Sequence, residues 1–177
     1  MPYIGGLLSF REAEPVVEMI RDQIENEPHL TPDYLMIDGN GILHPRKIGL
    51  ASSIGVQLDL PTFGVAKNFY CLDAYYARHL DPKDVRDDFK KNLNLEEKGD
   101  FQDILHPEEK TVVGCALKTA KESTNPVYVS IGHKISLEKA KKLTLRTAQY
   151  RIPQPTRLAD LVGREFVKKH LEKNGLN

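Results

Sequence analysis

Residues 34–67 place two short apolar runs on either side of a helical pattern, and this order constrains the fold more than any other feature of the sequence. Tyr34–Ile37 and Thr62–Ala66 are bounded by turn-forming residues, which is typical of strands buried on both faces. Residues 49–58 alternate small and apolar groups at a helical period, and Pro61 ends that pattern. A strand, a helix and a second strand predict a βαβ unit, so we expect an α/β protein.

The rest of the chain predicts further helices and strands around this unit. Residues 69–80 give no clear pattern, and residues 94–110 are expected to form a surface loop. The polar turn 120–126 favours a hairpin between the two strands that flank it. The expected elements are a helix from Pro15, capped by Glu14, to Asn26, a helix from Pro82 to Leu93, strands at Thr111–Lys118 and Val127–Ile131, a helix from Ser136 to Gln149, and a last helix ending near Lys173.

Size and composition indicate one soluble domain. A length of 177 residues predicts a single domain over residues 1–177, and an apolar share of 40% argues against a disordered chain. No stretch approaches the ~18 apolar residues of a membrane span, and residues 1–10 lack a basic signal-peptide start. Cys71 and Cys115 are too few for a disulfide framework, so we expect free thiols in a cytoplasmic or nuclear protein, the nucleolus included.

The charge is unevenly distributed although it sums to zero. Residues 134–177 contain eleven basic and four acidic side chains, a net charge of +7, which leaves −7 for residues 1–133. Such a basic segment predicts a surface that binds a polyanion. The alternative is a pair of solvated helices whose charges carry no function.

Two acids are candidates for a functional site. Asp38 follows a buried strand, at the edge where α/β sheets place ligands, and Gly39 and Gly41 would let the backbone approach a substrate. The alternative is that Asp38 only stabilises a turn. Glu12 fits a capping box that begins at Ser9, but Pro15 would then fall inside the helix. The functional interpretation is that the Glu12 carboxylate holds a cation.

Three basic side chains add to this set. Lys67 also ends a buried strand, could lie beside Asp38 and could hold a phosphate; the alternative is an ordinary surface lysine. His133 lies in a predicted short strand-to-helix loop, where its side chain could titrate near neutral pH. The alternative, which also applies to His44, is a histidine with a purely structural role. Two acids, a lysine, a histidine and a basic segment together suggest phosphodiester chemistry with Mg²⁺.

A set of short motifs in this order resembles the endonuclease V family across about residues 2–170. The motifs are Pro2-Tyr3-Ile4, Gly6-Leu7-Leu8, Phe10-Arg11-Glu12, Ile37-Asp38-Gly39-Asn40-Gly41, His44-Pro45-Arg46, Gly64-Val65-Ala66-Lys67, Gly132-His133-Lys134 and Arg151-Ile152-Pro153. The resemblance implies a ribonuclease-H-like fold and a Mg²⁺-dependent endonuclease, with Mn²⁺ as an alternative ion. It implies cleavage 3′ to inosine or deoxyinosine, one nucleotide beyond the modified base.

The resemblance also implies roles for individual residues. Asp38 and Glu12 match metal-binding catalytic acids, Lys67 matches the lysine near the scissile phosphate, and His133 matches an active-site histidine. Tyr3 matches the aromatic wedge that fills the gap beside the displaced base. Further nucleic-acid contacts are expected from the pocket loop Gly6, Leu7 and Leu8 and from Gly39, Gly41, His44 and Arg46.

The sequence departs from the family pattern near its start. Gly5 replaces a proline of the wedge loop, which makes that loop less rigid. The resemblance further implies that the family's first two strands, with another catalytic aspartate, are missing, so the chain as written is expected to cut slowly or not at all.

Several functional interpretations stay open. The form of residues 38–41 and the length of residues 69–110 resemble the animal branch of the family, and this resemblance implies inosine-containing single-stranded RNA as the substrate. A module that binds such strands without cutting them is the main alternative. A protein that dimerises through an exposed sheet edge is a third. The sequence leaves the oligomeric state open.

Overall fold

A computed structural model describes residues 8–175, and within them six helices surround one five-stranded sheet. The strands are β1 (Leu35–Ile37), β2 (Thr62–Ala66), β3 (Phe101–Leu105), β4 (Val112–Leu117) and β5 (Val127–His133). The helices are α1 (Leu8–Asn26), α2 (Leu50–Leu58), α3 (Leu72–Ala77), α4 (Pro82–Lys91), α5 (Leu137–Thr147) and α6 (Gln154–Lys173). A single 3₁₀ turn at Pro28–Leu30 leads from α1 towards β1.

The sheet has the strand order β1-β2-β5-β4-β3. β1 and β2 are parallel, with Leu35 opposite Thr62 and Ile37 opposite Gly64, and α2 connects them. The predicted βαβ unit and the α/β class are therefore confirmed. All other neighbours in the sheet are antiparallel, and β4 and β5 form the predicted hairpin.

Apolar side chains pack on both faces of the sheet. Phe63 and Val65 of β2 belong to one cluster, together with Ala140 of α5, while Tyr128 of β5 and Phe69 belong to a cluster on α3 and α4. A third cluster joins α1 and α2 to β1 through a set of apolar side chains, which includes Val17, Ile37, Leu50 and Ile54. Each fully buried side chain of this kind contributes roughly 1.5–3 kcal/mol to folding.

The first helix begins at Leu8, so the predicted start at Pro15 is wrong. Pro15 lies inside α1 and is exposed, and it removes one backbone hydrogen bond from the helix. Ala13 and Val17 are buried on the opposite side, against α2 and β1. The apolar face thus continues upstream of the proline, and its packing offsets the cost of the lost bond.

The region expected to be a surface loop, residues 94–110, contains β3. This strand lies at the edge of the sheet, and Phe101 and Leu105 are about half exposed while Ile104 is buried. The Asp100 carboxylate accepts hydrogen bonds from the backbone N–H groups of Glu96 and Glu97, which orders the approach to the strand. An edge strand with one buried side chain leaves little apolar signal in a sequence.

The predicted starts of α4 and α5 agree with the structure. Ser136 caps α5 as expected, accepting a hydrogen bond from Lys139 N at 3.2 Å, and α4 begins at Pro82, where Asp81 accepts a hydrogen bond from Lys83 N at 2.7 Å. Both cysteines are free and buried, and burial raises the pKa of the Cys115 thiol to about 12. Between residues 8 and 175 no helix has the length and apolar character needed to cross a membrane.

Candidate active site

The ends of the two parallel strands bring together a carboxylate and an ammonium group. Asp38 directly follows β1 and Lys67 directly follows β2, so both lie at the same edge of the sheet. The Nζ atom of Lys67 lies 2.6 Å from Oδ2 of Asp38, and the two side chains are 37% and 44% exposed. The pair is therefore open to solvent at the edge where open α/β sheets place their ligands.

Strand β5 holds the loop that follows Asp38. The N–H of Gly41 donates to Ser130 Oγ over 2.8 Å, and the N–H of Ile42 donates to the carbonyl of Ile131 over 2.7 Å. A Cβ atom on Gly41 would lie 1.9 Å from that carbonyl oxygen, so only glycine fits this close approach. Gly41 was predicted to approach nucleic acid; in the structure it approaches β5 and thereby positions the loop.

The middle of the same loop is also packed against its neighbours. The carbonyl oxygen of Gly39 would lie 2.3 Å from a Cβ atom on Gly64, so β2 and this loop touch directly. The carbonyl of Asn40 accepts the N–H of Ala51 over 3.0 Å, at the start of α2. Asn40 Oδ1 is buried and has no hydrogen-bond partner among the groups that the structure describes. An oxygen two residues from Asp38 is therefore available to a cation or a water molecule.

Arg151 fixes the backbone of Lys67. Its Nη2 atom donates to the carbonyl of Lys67, and its Nε and Nη2 atoms donate to the carbonyl of Pro126 at 3.1 and 2.9 Å. The Thr119 hydroxyl donates to the carbonyl of Arg151 over 2.6 Å. Partial burial lowers the pKa of the guanidinium. Sequence analysis noted Arg151 only as part of a motif, and its role depends on contacts between distant segments.

Glu12 lies on α1, which packs against the strand that carries Asp38. Ala13, the next residue, belongs to the same apolar cluster as Ile37, which immediately precedes Asp38. Glu12 itself is half-buried. Within residues 8–175, no group of three or more His, Cys, Asp or Glu side chains is gathered closely enough to hold a metal ion. A metal site formed by Glu12 and Asp38 therefore stays a prediction.

His133 does not join Asp38 and Lys67. β5 runs antiparallel to β2, so His133 lies opposite Thr62 at the start of β2, while Tyr128 lies opposite Ala66 at its end. At about 3.3 Å per residue, four residues of strand separate these two ends by about 13 Å. The expectation that His133 shares one site with Asp38 and Lys67 is therefore not supported by the strand pairing.

At this opposite end of the sheet, His133 belongs to a small charged cluster. His133 Nε2 and Lys134 Nζ lie 3.2 and 2.6 Å from the same oxygen of Asp59. The hydrogen bond from Lys134, followed by the one from His133, lowers the pKa of the Asp59 carboxyl. Asp59 ends α2 in a left-handed conformation, so these contacts stabilise the end of that helix.

The His44-Pro45-Arg46 segment, in the loop that follows Asp38, contributes one exposed cation. His44 is only 6% exposed, and its ring lies 5.5 Å from that of Tyr70, so it offers little surface to a bound strand. Arg46 is exposed, and its guanidinium lies over the ring of Phe10 at 5.5 Å. Of the two predicted nucleic-acid contacts, Arg46 is the one whose side chain is accessible.

The buried His106 and the partly buried Tyr76, which no sequence pattern indicates, hold this segment. Glu109 N–H donates to Nδ1 of His106 over 3.2 Å, so Nε2 of His106 carries the proton and donates to Tyr76 Oη, also over 3.2 Å. Tyr76 Oη in turn donates to the carbonyl of Pro45 over 2.6 Å. An ion pair between Lys47 and Glu109 adds a second tie to the same turn.

The predicted wedge and base pocket lie mostly outside the described residues. Tyr3, Gly6 and Leu7 precede residue 8, and Leu8 is the first residue of α1. Their roles in holding a displaced base stay predictions.

Most of the basic segment 134–177 is already paired, which favours the interpretation as solvated helices over much of its length. Lys139 and Arg157 lie over the rings of Tyr34 and Tyr150 at 5.3 and 5.0 Å. The ion pairs of this segment are Lys134–Asp59, Lys141–Glu138, Lys142–Glu138, Arg164–Asp160, Lys168–Glu172 and Lys169–Glu165. A polyanion-binding surface, if formed here, would draw mainly on the basic groups of α5.

Comparison with known proteins gives consistent matches. The family model for Endonuclease V matches residues 1–161. Endonuclease V of Homo sapiens is 40% identical over 170 residues, which cover 96% of this chain and 57% of the human protein. Endonuclease V of Dictyoglomus turgidum is 41% identical over 172 residues, covering 97% of this chain and 64% of the relative. The chain thus spans little more than half the length of the human relative.

Solved structures extend the similarity to three dimensions and identify the family. The catalytic domain of human Endonuclease V superimposes with a TM-score of 0.85 at 40% identity, covering 100% of this chain and 68% of that one. Endonuclease V of Ciona intestinalis, crystallised with a 24mer DNA containing an inosine followed by a ribo-adenosine, gives a TM-score of 0.83 at 34% identity and covers 96% and 69% of the two chains. The chain therefore belongs to the Endonuclease V family.

Proposed function

We propose that this chain forms the Asp38 and Lys67 side of a Mg²⁺-dependent endonuclease site, with Mn²⁺ as an alternative ion. Its substrate would be single-stranded RNA containing inosine, or DNA containing deoxyinosine, cut one nucleotide beyond the modified base on the 3′ side. The observation that carries this proposal is the Asp38–Lys67 pair at the ends of two parallel strands in a member of this family. The inosine-containing strand bound to the Ciona protein supports the substrate class.

The residues at this edge fit a hard cation. Mg²⁺ prefers oxygen ligands, and it commonly binds one or two carboxylates together with water and substrate phosphates. Asp38 offers a half-exposed carboxylate that already has a cation, the Lys67 ammonium, at 2.6 Å. Glu12 is the second carboxylate, and Asn40 Oδ1 is an unpartnered buried oxygen in the same loop. A bound Mg²⁺ would supply a Lewis acid and a more acidic water molecule.

The protein's own groups then bind and orient the substrate. The Lys67 ammonium is a point charge on a flexible stem, which can turn from Asp38 to a phosphate oxygen when a strand is bound. Arg151 holds the backbone of Lys67, so this movement is confined to the side chain. The exposed guanidinium of Arg46 would contact an adjacent phosphate. His133, at the far end of β2, takes no part in this scheme.

Replacing Lys67 with glutamine is expected to reduce cleavage by about 100-fold or more while changing the free energy of unfolding by about 1 kcal/mol or less. The charge contacts the phosphate in the transition state, whereas a half-exposed ion pair contributes little to stability. Single-turnover cleavage of an inosine-containing strand and urea unfolding measure the two effects. Lys121→Gln, which removes an exposed ion pair with Glu97 at 3.1 Å, is the matched control.

Equal loss of activity in the Lys67 and Lys121 variants would contradict this role of Lys67. So would a cleavage rate for Lys67→Gln that stays within a few-fold of the unchanged protein.

Binding of an inosine-containing strand is expected to weaken with salt, with a slope of about −0.7 for each phosphate contacted. Replacing Lys139 and Lys142 of α5 together by glutamine should make that slope shallower. Affinity measured by fluorescence anisotropy between 50 and 300 mM salt tests this expectation, with Lys168→Gln on α6 as the control. If affinity falls with salt at the same slope in all three proteins, the basic segment does not contact the strand and is only a solvated surface.

Binding without cleavage is the second candidate function. It is favoured by the Asp38–Lys67 ion pair, because the lysine ammonium already occupies one oxygen of the carboxylate at 2.6 Å. Selective binding of inosine-containing strands with no Mg²⁺-dependent product, both in this chain and in a longer form that adds the part of the human relative not covered by it, would establish it.

A further inference from the structure

A pocket of about 280 Å³ lies beside the segment that follows Lys67, and no step of the proposed reaction uses it. Its walls are largely aromatic and apolar, with one cation, and they come from the segment between β2 and α3, from α3 and from α4. The lining residues include Phe69, Tyr70, Cys71, Ala74, Tyr75 and Arg86. Its volume is just below the ~300–1,000 Å³ of pockets that hold drug-sized ligands, so it suits one small planar group.

Internal contacts hold the walls of this pocket. The Cys71 thiol donates to the carbonyl of Pro82 over 3.2 Å, which ties the start of α3 to the start of α4. Tyr75 is 53% exposed, and its ring meets that of Tyr76 edge-on at 5.4 Å. Tyr76 is itself fixed by its hydrogen bond to Pro45. An exposed tyrosine ring is thus held in place without being covered.

One cation lines the pocket, and a second lies near Tyr70 in its wall. Arg86 lines it, and the guanidinium of Arg46 lies close enough to Tyr70 to oppose the effect of burial, which raises the pKa of that phenol. Tyr70 is three residues beyond Lys67, a span of at most about 10 Å. A phosphate held at Lys67 therefore leaves the next unpaired nucleotides within reach of the pocket.

Aromatic faces combined with neighbouring cations are the chemistry that binds unpaired nucleotides. Bases of a single strand stack on tyrosine rings while arginine and lysine side chains contact the phosphates. An apolar peptide would fill the cavity equally well, but it would not use the flanking cations. The charges around the pocket therefore favour a nucleotide.

We propose that the pocket formed by Tyr70, Tyr75 and Arg86 binds an unpaired base of the substrate strand that flanks the inosine. This inference rests on the proposed function, because the strand reaches the pocket from the phosphate held at Lys67. Tyr75 provides the stacking surface and Arg86 contacts the phosphate of the stacked nucleotide. The pocket would then select single-stranded over double-stranded substrates, since a base within a duplex cannot enter it.

The test uses single-stranded RNA 12-mers that carry inosine at one fixed position and 2-aminopurine at one flanking position at a time. They are bound in the presence of a chelator, so that no strand is cut. Stacking quenches 2-aminopurine fluorescence, and we expect strong quenching at one flanking position. Tyr75→Ala should abolish that quenching and weaken binding by about 5- to 100-fold, while Tyr75→Trp should restore both.

The control is Tyr150→Ala, which removes another exposed tyrosine that lies beside an arginine, Arg157. It should leave quenching and affinity unchanged, and thermal melting should show that all variants are folded. Arg86→Gln should weaken binding and reduce its salt dependence without altering the position that is quenched.

The outcomes separate this inference from the proposed function. If the protein prefers inosine-containing strands but no quenching depends on Tyr75, the pocket assignment is wrong and the proposed function stands. If Tyr75-dependent quenching occurs equally on strands with adenosine in place of inosine, the pocket binds a base but the proposed substrate is wrong. If none of the strands binds, both are wrong.

Discussion

Replacing Asp38 with alanine is expected to abolish cleavage of an inosine-containing strand, lowering the rate by about 10³-fold or more, while binding changes only a few-fold. A loss of this size corresponds to about 4 kcal/mol of transition-state stabilisation, which is within the range expected for removing a carboxylate that holds a catalytic cation. Binding should survive because, in the proposed function, Lys67, Arg46 and the aromatic pocket would contact the strand without Asp38.

The substitutions should be made in two forms of the protein, because the human relative is considerably longer than this chain. One is the 177-residue chain, and the other is a chimera that adds the part of the human relative which this chain does not cover. Rates come from single-turnover assays with Mg²⁺, and affinities from assays with a chelator. Asp59→Asn, which changes the acid at the opposite end of β2, is the control and should cut at an unchanged rate.

Two results would contradict this role of Asp38. The first is rapid cleavage by Asp38→Ala, which would place the reaction elsewhere in the protein. The second is loss of binding in parallel with cleavage, which would reduce Asp38 to a residue that shapes the loop.

Replacing Gly41 with alanine is expected to destabilise the protein by about 4 kcal/mol or more. The new Cβ atom would meet the Ile131 carbonyl oxygen at 1.9 Å, which no side-chain movement can relieve because the obstacle is backbone. The loop would have to leave β5, breaking the hydrogen bonds that Gly41 and Ile42 donate to it. Urea unfolding followed by circular dichroism measures the change.

A matched glycine provides the control for this expectation. Gly163 lies within α6 and a Cβ atom there would meet nothing within 4 Å, so Gly163→Ala should stabilise the protein by about 0.5–1 kcal/mol. Ser130→Ala, which removes the acceptor for Gly41 N–H, should cost about 1–3 kcal/mol and still fold. An unchanged unfolding midpoint in Gly41→Ala, or a change no larger than that of Ser130→Ala, would show that β5 does not hold this loop.

The α/β core was predictable because its pattern is local. The apolar runs at Tyr34–Ile37 and Thr62–Ala66 and the helical period between them identify parallel strands, and parallel strands place Asp38 and Lys67 at one edge. β3 could not be predicted in the same way, since its strand character comes from pairing with β4 and only Ile104 is buried. The start of α1 was missed because Pro15 suggested a boundary that tertiary packing overrides.

In the site, too, local sequence patterns indicate some residues, whereas contacts between distant segments place the others. His133 ends β5 and Lys67 follows β2, and nothing in the local sequence distinguishes these two strand ends. Only the antiparallel pairing of β5 with β2 puts them at opposite ends of the sheet. Arg151, Tyr76 and His106 support the site through contacts with Lys67, Pro45 and each other across 30 to 84 residues, which no sequence pattern encodes.

Mapping the cleavage position tests the proposed function most directly. A 5′-labelled single-stranded RNA with one inosine is incubated with Mg²⁺ and the chimera described above, beside the same strand with adenosine in that position. One product, ending one nucleotide beyond the inosine on its 3′ side and absent with Asp38→Ala, is the predicted result. Cleavage that is unchanged by adenosine, or that persists at the same position in Asp38→Ala, would contradict it.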